Sequence, residues 1–304
     1  MKHYYSVNEY YKQKYGRKVY KLTISGGMTC PNRDGMLGTR GCIFCSADGS
    51  GEFASSALLP ISEQLEYAKQ SVRAKTSDDC YIAYFQPFSN TYADIEYLRK
   101  IYYEAITPDE IVGLSIATRP DCLPEDVLDL LTELNQVKPV TIELGLQTIH
   151  EATAAYIRRG YPLHVYDEAV KALHNRKIEV VTHVILGLPG ETAEMMVETA
   201  RYVGKVTDGI KLQLLHVLDG TDLAPDYQKG MFRTLELPEY AEILCRCLEA
   251  LPPRVVVHRI TGDGDKRHLI APMWSANKKR TLNYINHYMD EHQIAQGSAI
   301  KDVK

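Results

Sequence analysis

A chain of 304 residues with a net charge of −4, 45% apolar and 24% charged, has the composition of a water-soluble globular protein. It has room for one large α/β domain or two small ones. No run of about 18 apolar residues occurs, so no helical membrane span is expected. The start, Met1-Lys2-His3-Tyr4-Tyr5, lacks a secretory apolar core, and the protein is placed in the cytoplasm.

Tyrosines crowd the N-terminus, at positions 4, 5, 10, 11, 15 and 20, and residues 1–17 are read as an extension that packs as a lid or strap on the main domain. The apolar run Val19–Ile24 reads as a strand and leads into a Gly-rich loop. That loop carries Cys30, Cys42 and Cys45 in a C-x11-C-x2-C spacing. Glycines let a backbone approach a bulky ligand closely. Three thiolates with no fourth nearby suggest a soft metal or an iron–sulfur cluster with one open position, and a structural zinc loop is the alternative. Seven cysteines, an odd number gathered at one loop, argue against disulfides and for a reducing compartment.

Downstream, a helical pattern follows Pro60, with Ile61, Leu65, Ala68 and Val72 at helix spacing, and then a short strand, Cys80–Phe85. A polar loop, Gln86–Thr91, precedes a helix from about Tyr92 to Ala105. Strands are predicted at Ile111–Ala117, Val140–Gln147, Glu179–Leu186 and Ile210–Leu215. Between and after them lie helices at about Pro124–Asn135, from after Gln147 to Arg159, Val165–Arg176 and Glu191–Val206. A last helix and strand follow at Pro238–Leu251 and Arg254–Ile260, then a C-terminal helix at Ala276–His292.

Strands alternating with helices make βαβ units and a parallel sheet. The expected fold is α/β: a partial (βα)6 TIM-like barrel over residues 18–260, with the extensions 1–17 and 261–304. In such barrels the chemistry sits at the C-terminal ends of the strands. The cysteines, Gln86–Thr91, Thr118–Asp121, Gln147 and Gly187–Gly190 all fall there.

Four segments then carry a family likeness. Cys30, Cys42 and Cys45, with Phe44 before the last, stand as cluster ligands do. Thr118-Arg119-Pro120-Asp121, Gly145-Leu146-Gln147-Thr148 followed by Arg158-Arg159-Gly160-Tyr161, and Gly187-Leu188-Pro189-Gly190-Glu191-Thr192 follow in order. Together they resemble the radical S-adenosylmethionine (SAM) enzymes, in the branch of the Elongator catalytic subunit and the coproporphyrinogen oxidases. The likeness is greatest to small stand-alone proteins of that branch linked to bacterial wobble-uridine modification. It covers roughly Lys18 to Ile260. Two departures stand out: Ala117 and His183 occupy places where relatives carry carboxylates.

The resemblance implies a [4Fe–4S] cluster on the three cysteines, with SAM on the open iron. A one-electron donor such as flavodoxin or ferredoxin would reduce the cluster, and the 5′-deoxyadenosyl radical released from SAM would take a hydrogen from the substrate. It implies Phe44, Gln86, Ser89, Asn90, Gln147, Arg159, His183 and Gly187 as cofactor contacts, with Arg159 on the SAM carboxylate. Glu143, Tyr84 and His258 are candidate catalytic groups; Tyr81, His216 and Arg259 are further candidates for the barrel interior. The implied substrate is tRNA, at the C5 side chain of wobble uridine: a carboxymethylaminomethyl group would lose its carboxymethyl part and leave aminomethyluridine. Lys278, Lys279 and Arg280 are available to meet tRNA phosphates, and a solvated helix face explains them as well. The alternatives are radical chemistry on a small metabolite or porphyrin-like molecule, and a non-catalytic zinc-loop protein that binds tRNA or a partner.

Overall fold

In the computed structural model of the chain, which describes residues 2–47, 49, 57–73, 79–262, 264 and 266–300, the tyrosine-rich start forms a helix, α1 (Val7–Tyr15). The apolar run after it is β1 (Tyr20–Ile24). The alternation then proceeds through α2 (Ile61–Arg73), β2 (Tyr81–Phe85), α3 (Ile95–Ile106), β3 (Ile111–Thr118), α4 (Glu125–Val137) and β4 (Val140–Gln147). It continues with α5 (Glu151–Tyr156), α6 (Leu163–Asn175), β5 (Glu179–Leu186), α7 (Ala193–Val206) and β6 (Gly209–Leu214). The last part adds a short β7 (Val217–Leu218), α8 (Leu223–Gln228), α9 (Leu237–Glu249), β8 (Val256–Arg259), β9 (Leu269–Ala271) and α10 (Lys278–Glu291).

Seven of the strands form one parallel sheet in the order β1-β2-β3-β4-β5-β6-β8, and β7 pairs antiparallel with β9. The fold is the expected α/β partial barrel, with β8 as a seventh strand. The sheet is open between β1 and β8 yet strongly curled. Strands β1 and β6 stand roughly 24 Å apart along a flat sheet at the usual spacing. Nevertheless Lys21 of β1 and Lys211 of β6 reach the two oxygens of one carboxylate, Glu143 of β4. Only a sheet curved around that side chain allows this.

The curvature leaves two environments. Outside, helices bury Leu98, Tyr102, Leu130, Leu134, Tyr166, Leu173, Val203 and Tyr240 against the sheet. Each such burial contributes about 1.5–3 kcal/mol. Inside, the strands carry polar side chains.

Helix ends follow local chemistry. Asp94 accepts from Glu96 N and Tyr97 N, so α3 starts at Ile95 rather than Tyr92. Thr192 accepts from Met195 N and delays α7 to Ala193. The helix expected to reach Arg159 stops at Tyr156, because Arg158 (φ 57°) and Gly160 (φ 85°) turn left-handed.

Helix α1 lies in the segment expected as a lid or strap, where no helix was expected. Ser6 caps it by accepting from Glu9 N, and Gly16 ends it in the left-handed conformation. It bridges the open seam: Val257 N of β8 donates to Tyr5 O at 2.8 Å, while Tyr11 is buried with Val19 and Ile82. Tyr10 and Lys14 bond Glu179 at the start of β5, so α1 covers the N-terminal end of the barrel. The cysteine loop is at the opposite end.

Candidate active site

The cysteine loop leaves the C-terminal end of β1 and is tied to itself and to its neighbours. Cys30 O accepts from Arg33 N at 2.7 Å, and Cys42 O from Cys45 N at 3.0 Å. Arg33 Nη2 donates to Cys45 O (3.2 Å) and Ser46 O (2.5 Å), joining the two cysteine-bearing ends. Asn32 Nδ2 donates to Arg158 O at 2.7 Å and lies 3.5 Å from Cys42 Sγ. All three cysteines are half-buried and none is in a disulfide. Burial, then the neighbouring Cys45 thiol, push the Cys42 thiol up to about 11. Among the described residues no three Cys, His, Asp or Glu side chains converge as the ligands of one metal ion.

Beside this loop runs the segment after β2. Ser89 N donates to Thr29 O at 3.2 Å, next to Cys30. Ser89 and Asn90 are fully buried, yet Ser89 Oγ and Asn90 Oδ1 have no hydrogen-bond partner. The Ser89 hydroxyl lies near the Cys122 thiol without a bond of ordinary geometry. Asn90 is held firmly by its other end, through Nδ2 to Pro87 O and Ala117 O, each 2.8 Å. Unmet buried acceptors cost free energy unless a ligand supplies the donor. An ammonium group, which has only donors, fits this place.

The barrel interior holds the most concentrated chemistry. Glu143 is completely buried. Its Oε1 accepts from Lys21 Nζ (2.5 Å) and Ser115 Oγ (2.7 Å). Its Oε2 accepts from His183 Nε2 (2.7 Å), Tyr84 OH (3.0 Å) and Lys211 Nζ. Register explains the gathering, since Tyr84 pairs with Ser115 and His183 with Lys211. Burial alone would raise the Glu143 carboxyl; Lys21 and Lys211 outweigh it and hold it well below the usual carboxylate range. Burial, with Lys21 and Arg259 nearby, brings Lys211 down to about 7. Lys21 goes up despite its burial, because Glu143 faces it. Burial drives His183 down to about 4 and His258 well below its usual value, so both are neutral.

A cavity of 460 Å³ runs from α1 past this network to the cysteine loop. Tyr11, Lys21, Tyr84, His183, Lys211, His258 and Arg259 line it, and so do Gln86, His216 and Phe44. The candidates Tyr84 and His258 therefore share one space, with Glu143 bonded at its wall. Tyr81, three residues from Tyr84, points to the other face and donates to Asp79 at 3.1 Å.

Other sequence candidates fall elsewhere. Arg159 is 1% exposed. Its Nε donates to Tyr161 O (2.9 Å), Nη1 to Thr148 O (2.6 Å) and Nη2 to both Glu151 oxygens (3.3 and 3.1 Å). These bonds fix the turn after α5. Gln147 sits at the end of β4 in the left-handed region (φ 67°), with its amide turned back over Leu146 O and Gly145 O. Such strain in a non-glycine residue marks a place that the surroundings over-determine. Gly187 (φ 91°) lines a separate cavity of 510 Å³ with Met231, Phe232 and Leu235, while Leu188 is buried under Ile43 and Phe44. His183, expected as a cofactor contact, is bonded to Glu143 and lines the interior cavity.

Residues 37–203 match the family model described as the Radical SAM superfamily, and residues 207–291 match the Radical_SAM C-terminal domain. The chain belongs to the radical SAM superfamily. It is 44% identical over 297 residues to the protein YtqA of Bacillus subtilis (strain 168), covering 97% of this chain and 92% of that one. A more distant radical SAM relative is the tRNA uridine(34) acetyltransferase of Methanocaldococcus jannaschii, 25% identical over 187 residues. That match covers 60% of this chain and 34% of the acetyltransferase. Among solved structures, the archaeal Methanocaldococcus infernus Elp3 superposes with a TM-score of 0.69 at 18% identity, over 91% of this chain and 64% of that one. Within that superfamily the chain is thus similar to Elongator-type proteins.

Radical SAM enzymes use a [4Fe–4S] cluster and SAM, and the residues present fit both. Three half-buried cysteines share one loop, and two buried polar atoms beside it lack a partner. Cys30, Cys42 and Cys45 would hold the cluster, and Ser89 and Asn90 would meet the SAM ammonium. The bound pair supplies a carbon-centred radical that removes hydrogen from substrate, while the protein positions and shields.

Lys21, Lys211 and Ser115 were missed in the sequence. The signal was present: a strand of a parallel sheet is normally apolar throughout, and Tyr20-Lys21-Leu22 and Ile210-Lys211-Leu212 each break that rule once.

Proposed function

We propose that this radical SAM enzyme acts on tRNA, at the C5 side chain of wobble uridine, removing the carboxymethyl part of a carboxymethylaminomethyl group to leave aminomethyluridine. The observation that carries the reading is the cavity joining Phe44 of the cluster loop to the Lys21–Glu143–Lys211 network. Its polar walls and half-enclosed form suit a slender charged side chain inserted from the cluster end better than a large apolar ring. The name of the archaeal relative, a tRNA uridine(34) acetyltransferase, supports the substrate class. Lys278, Lys279 and Arg280 at the exposed start of α10 are available for phosphates. A small one-electron carrier, a flavodoxin or ferredoxin, would deliver the electron.

The test compares tRNA nucleosides by mass spectrometry from a deletion strain and its parent. Carboxymethylaminomethyluridine should accumulate at the expense of aminomethyl-derived uridines in the deletion strain. Unchanged wobble uridines would refute the proposal while leaving the superfamily assignment intact.

A further inference from the structure

Glu143 is surrounded beyond what one carboxylate can use. A carboxylate offers about four acceptor positions, yet five donors from five strands point at it: Lys21, Tyr84, Ser115, His183 and Lys211. It is therefore not available to take a proton from substrate. What it does is hold two ammonium groups side by side.

Those two ammonium groups are not balanced. One negative charge faces two lysines, and Arg259 of β8 brings a third cationic side chain, itself held by a protein contact, to the same cavity. No acid occurs among the described lining residues, and Asp263 and Asp265 lie outside the described residues. Buried charges are ordinarily paired. A network built for stability alone would match its charges or replace them with apolar side chains. Lys211 spends two of its three N–H groups, on Glu143 and on Tyr84 OH at 3.2 Å. One N–H remains for a ligand in the cavity.

The anion that completes the site must be small, because the lysine tips lie deep in the barrel: Lys211 is 5% exposed. An RNA phosphate, carried on a bulky backbone, stays outside. The carboxylate of SAM belongs at the other end with its ammonium, and neither Ser89 nor Asn90 lines this cavity. A carboxylate on a flexible stem, entering past Phe44 and Gln86, reaches both lysines.

We propose that Lys21 and Lys211, positioned by Glu143, form the recognition site for a carboxylate of the substrate, so that the carbon beside it is presented toward the cluster loop. This rests on the tRNA reading for the identity of the stem, but the site itself is a property of the cavity. The lysines bind; Glu143 is a positioning residue.

The test uses the reconstituted full-length enzyme. Two probes are compared: an anticodon stem-loop carrying carboxymethylaminomethyluridine, and the same stem-loop with that carboxylate as a carboxamide. The acid should be preferred on the order of 10- to 100-fold in kcat/KM by the wild type. Lys211→Gln and Lys21→Gln should remove most of that preference, mainly through KM, and Lys211→Arg should restore part of it. Iron content and SAM affinity should remain at wild-type values, which a merely structural role would not allow. If Lys211→Gln lowers SAM affinity instead, the carboxylate bound is that of SAM and the proposal fails. If the variants keep full preference for the acid, the proposal fails and the tRNA reading stands.

A second measurement does not depend on tRNA. N-methylglycine should bind the wild type and shift Lys211 resonances, and Lys211→Gln should abolish binding. Binding here with unchanged nucleosides in the deletion strain would keep the carboxylate site and discard the tRNA reading. No binding to the wild type would overturn the site.

Discussion

Replacing Glu143 by Gln tests the logic of the barrel interior most directly. The substitution keeps size and removes one negative charge at a position with no solvent exposure. Lys21 and Lys211 then face each other without a counter-charge. Breaking a buried ion pair by removing one partner costs about 3–5 kcal/mol. For a chain of this length, the unfolding entropy of about 2.1 cal/mol/K per residue converts that loss to roughly 5–8 °C in Tm. The cost should depend on pH. Lys211 already stands near 7 in the wild type because of its burial, and without Glu143 it falls further. At pH 9 it is neutral at little expense, so the destabilisation should shrink between pH 6 and pH 9. Adding Lys211→Met should recover much of the loss, since the double variant buries one cation where the single variant buries two. The assay is differential scanning calorimetry of the four proteins of this cycle at three pH values. A Tm for Glu143→Gln within 1 °C of wild type at pH 6 would refute the reasoning, because it would mean that the two ammonium groups do not need the carboxylate.

Four further outcomes are expected. Alanine at Cys30, Cys42 or Cys45 should abolish iron loading after anaerobic reconstitution, while the far-ultraviolet circular dichroism is kept; an iron-loaded variant that still cleaves SAM would contradict the assignment. Ser89→Ala removes a buried hydroxyl without a partner, so the unliganded protein should lose no stability while SAM affinity, by equilibrium dialysis, drops about 5-fold. Gly187→Ala places a Cβ 3.1 Å from Leu235 Cδ1 on a backbone at φ 91°, and should cost about 1–2 kcal/mol in denaturant unfolding. The kcat/KM for a carboxylate substrate should be flat below pH 7 and fall above it as Lys211 loses its proton, while the carboxamide analogue shows no such limb. Lys21 is held charged, Glu143 ionised, His183 and His258 neutral, and Tyr11 and Tyr84 protonated across that range, while burial brings Lys211 to about 7; Lys211→Arg should remove the limb, and His216, in the same cavity, is checked by His216→Gln, which should leave it.

The sheet was legible because β3, β4 and β5 are apolar runs bounded by turn residues, separated by helical periodicity of ordinary length. Boundaries were less so. The Asp94 and Thr192 caps were written in the sequence but lay inside polar stretches that periodicity does not divide. Helix α1 was hidden for another reason. Ser6-Val7-Asn8-Glu9 is a capping signal, yet the tyrosines around it read only as a lid or strap, and one of them, Tyr11, is buried against the sheet. Short β7 and β9 have two and three residues, too few for any pattern. The interior network was out of reach for a geometric reason: sequence gives the alternation along a strand, but which lysine meets which carboxylate depends on the curl between β1 and β6.

The motif residues show a different gap between sequence and structure. Arg119 and Arg159 carry the family likeness, and each invites assignment to a ligand. Instead Arg119 grips Asp121 through Nε (2.9 Å) and Nη2 (2.7 Å) and donates Nη1 to Arg159 O at 2.8 Å. Asn32 Nδ2 donates to Arg158 O, and the Cys42 thiol lies 3.6 Å from the same carbonyl. The two arginine motifs are thus joined to each other and to the cysteine loop, through main-chain carbonyls that only a folded turn presents. Fixed-fork guanidinium groups suit that task because each binds a carboxylate and at least one main-chain carbonyl at once. Through these carbonyls the arginine turn is tied to the Cys42 end of the cysteine loop. In the barrel interior, by contrast, Lys21 and Lys211 outnumber the one carboxylate between them.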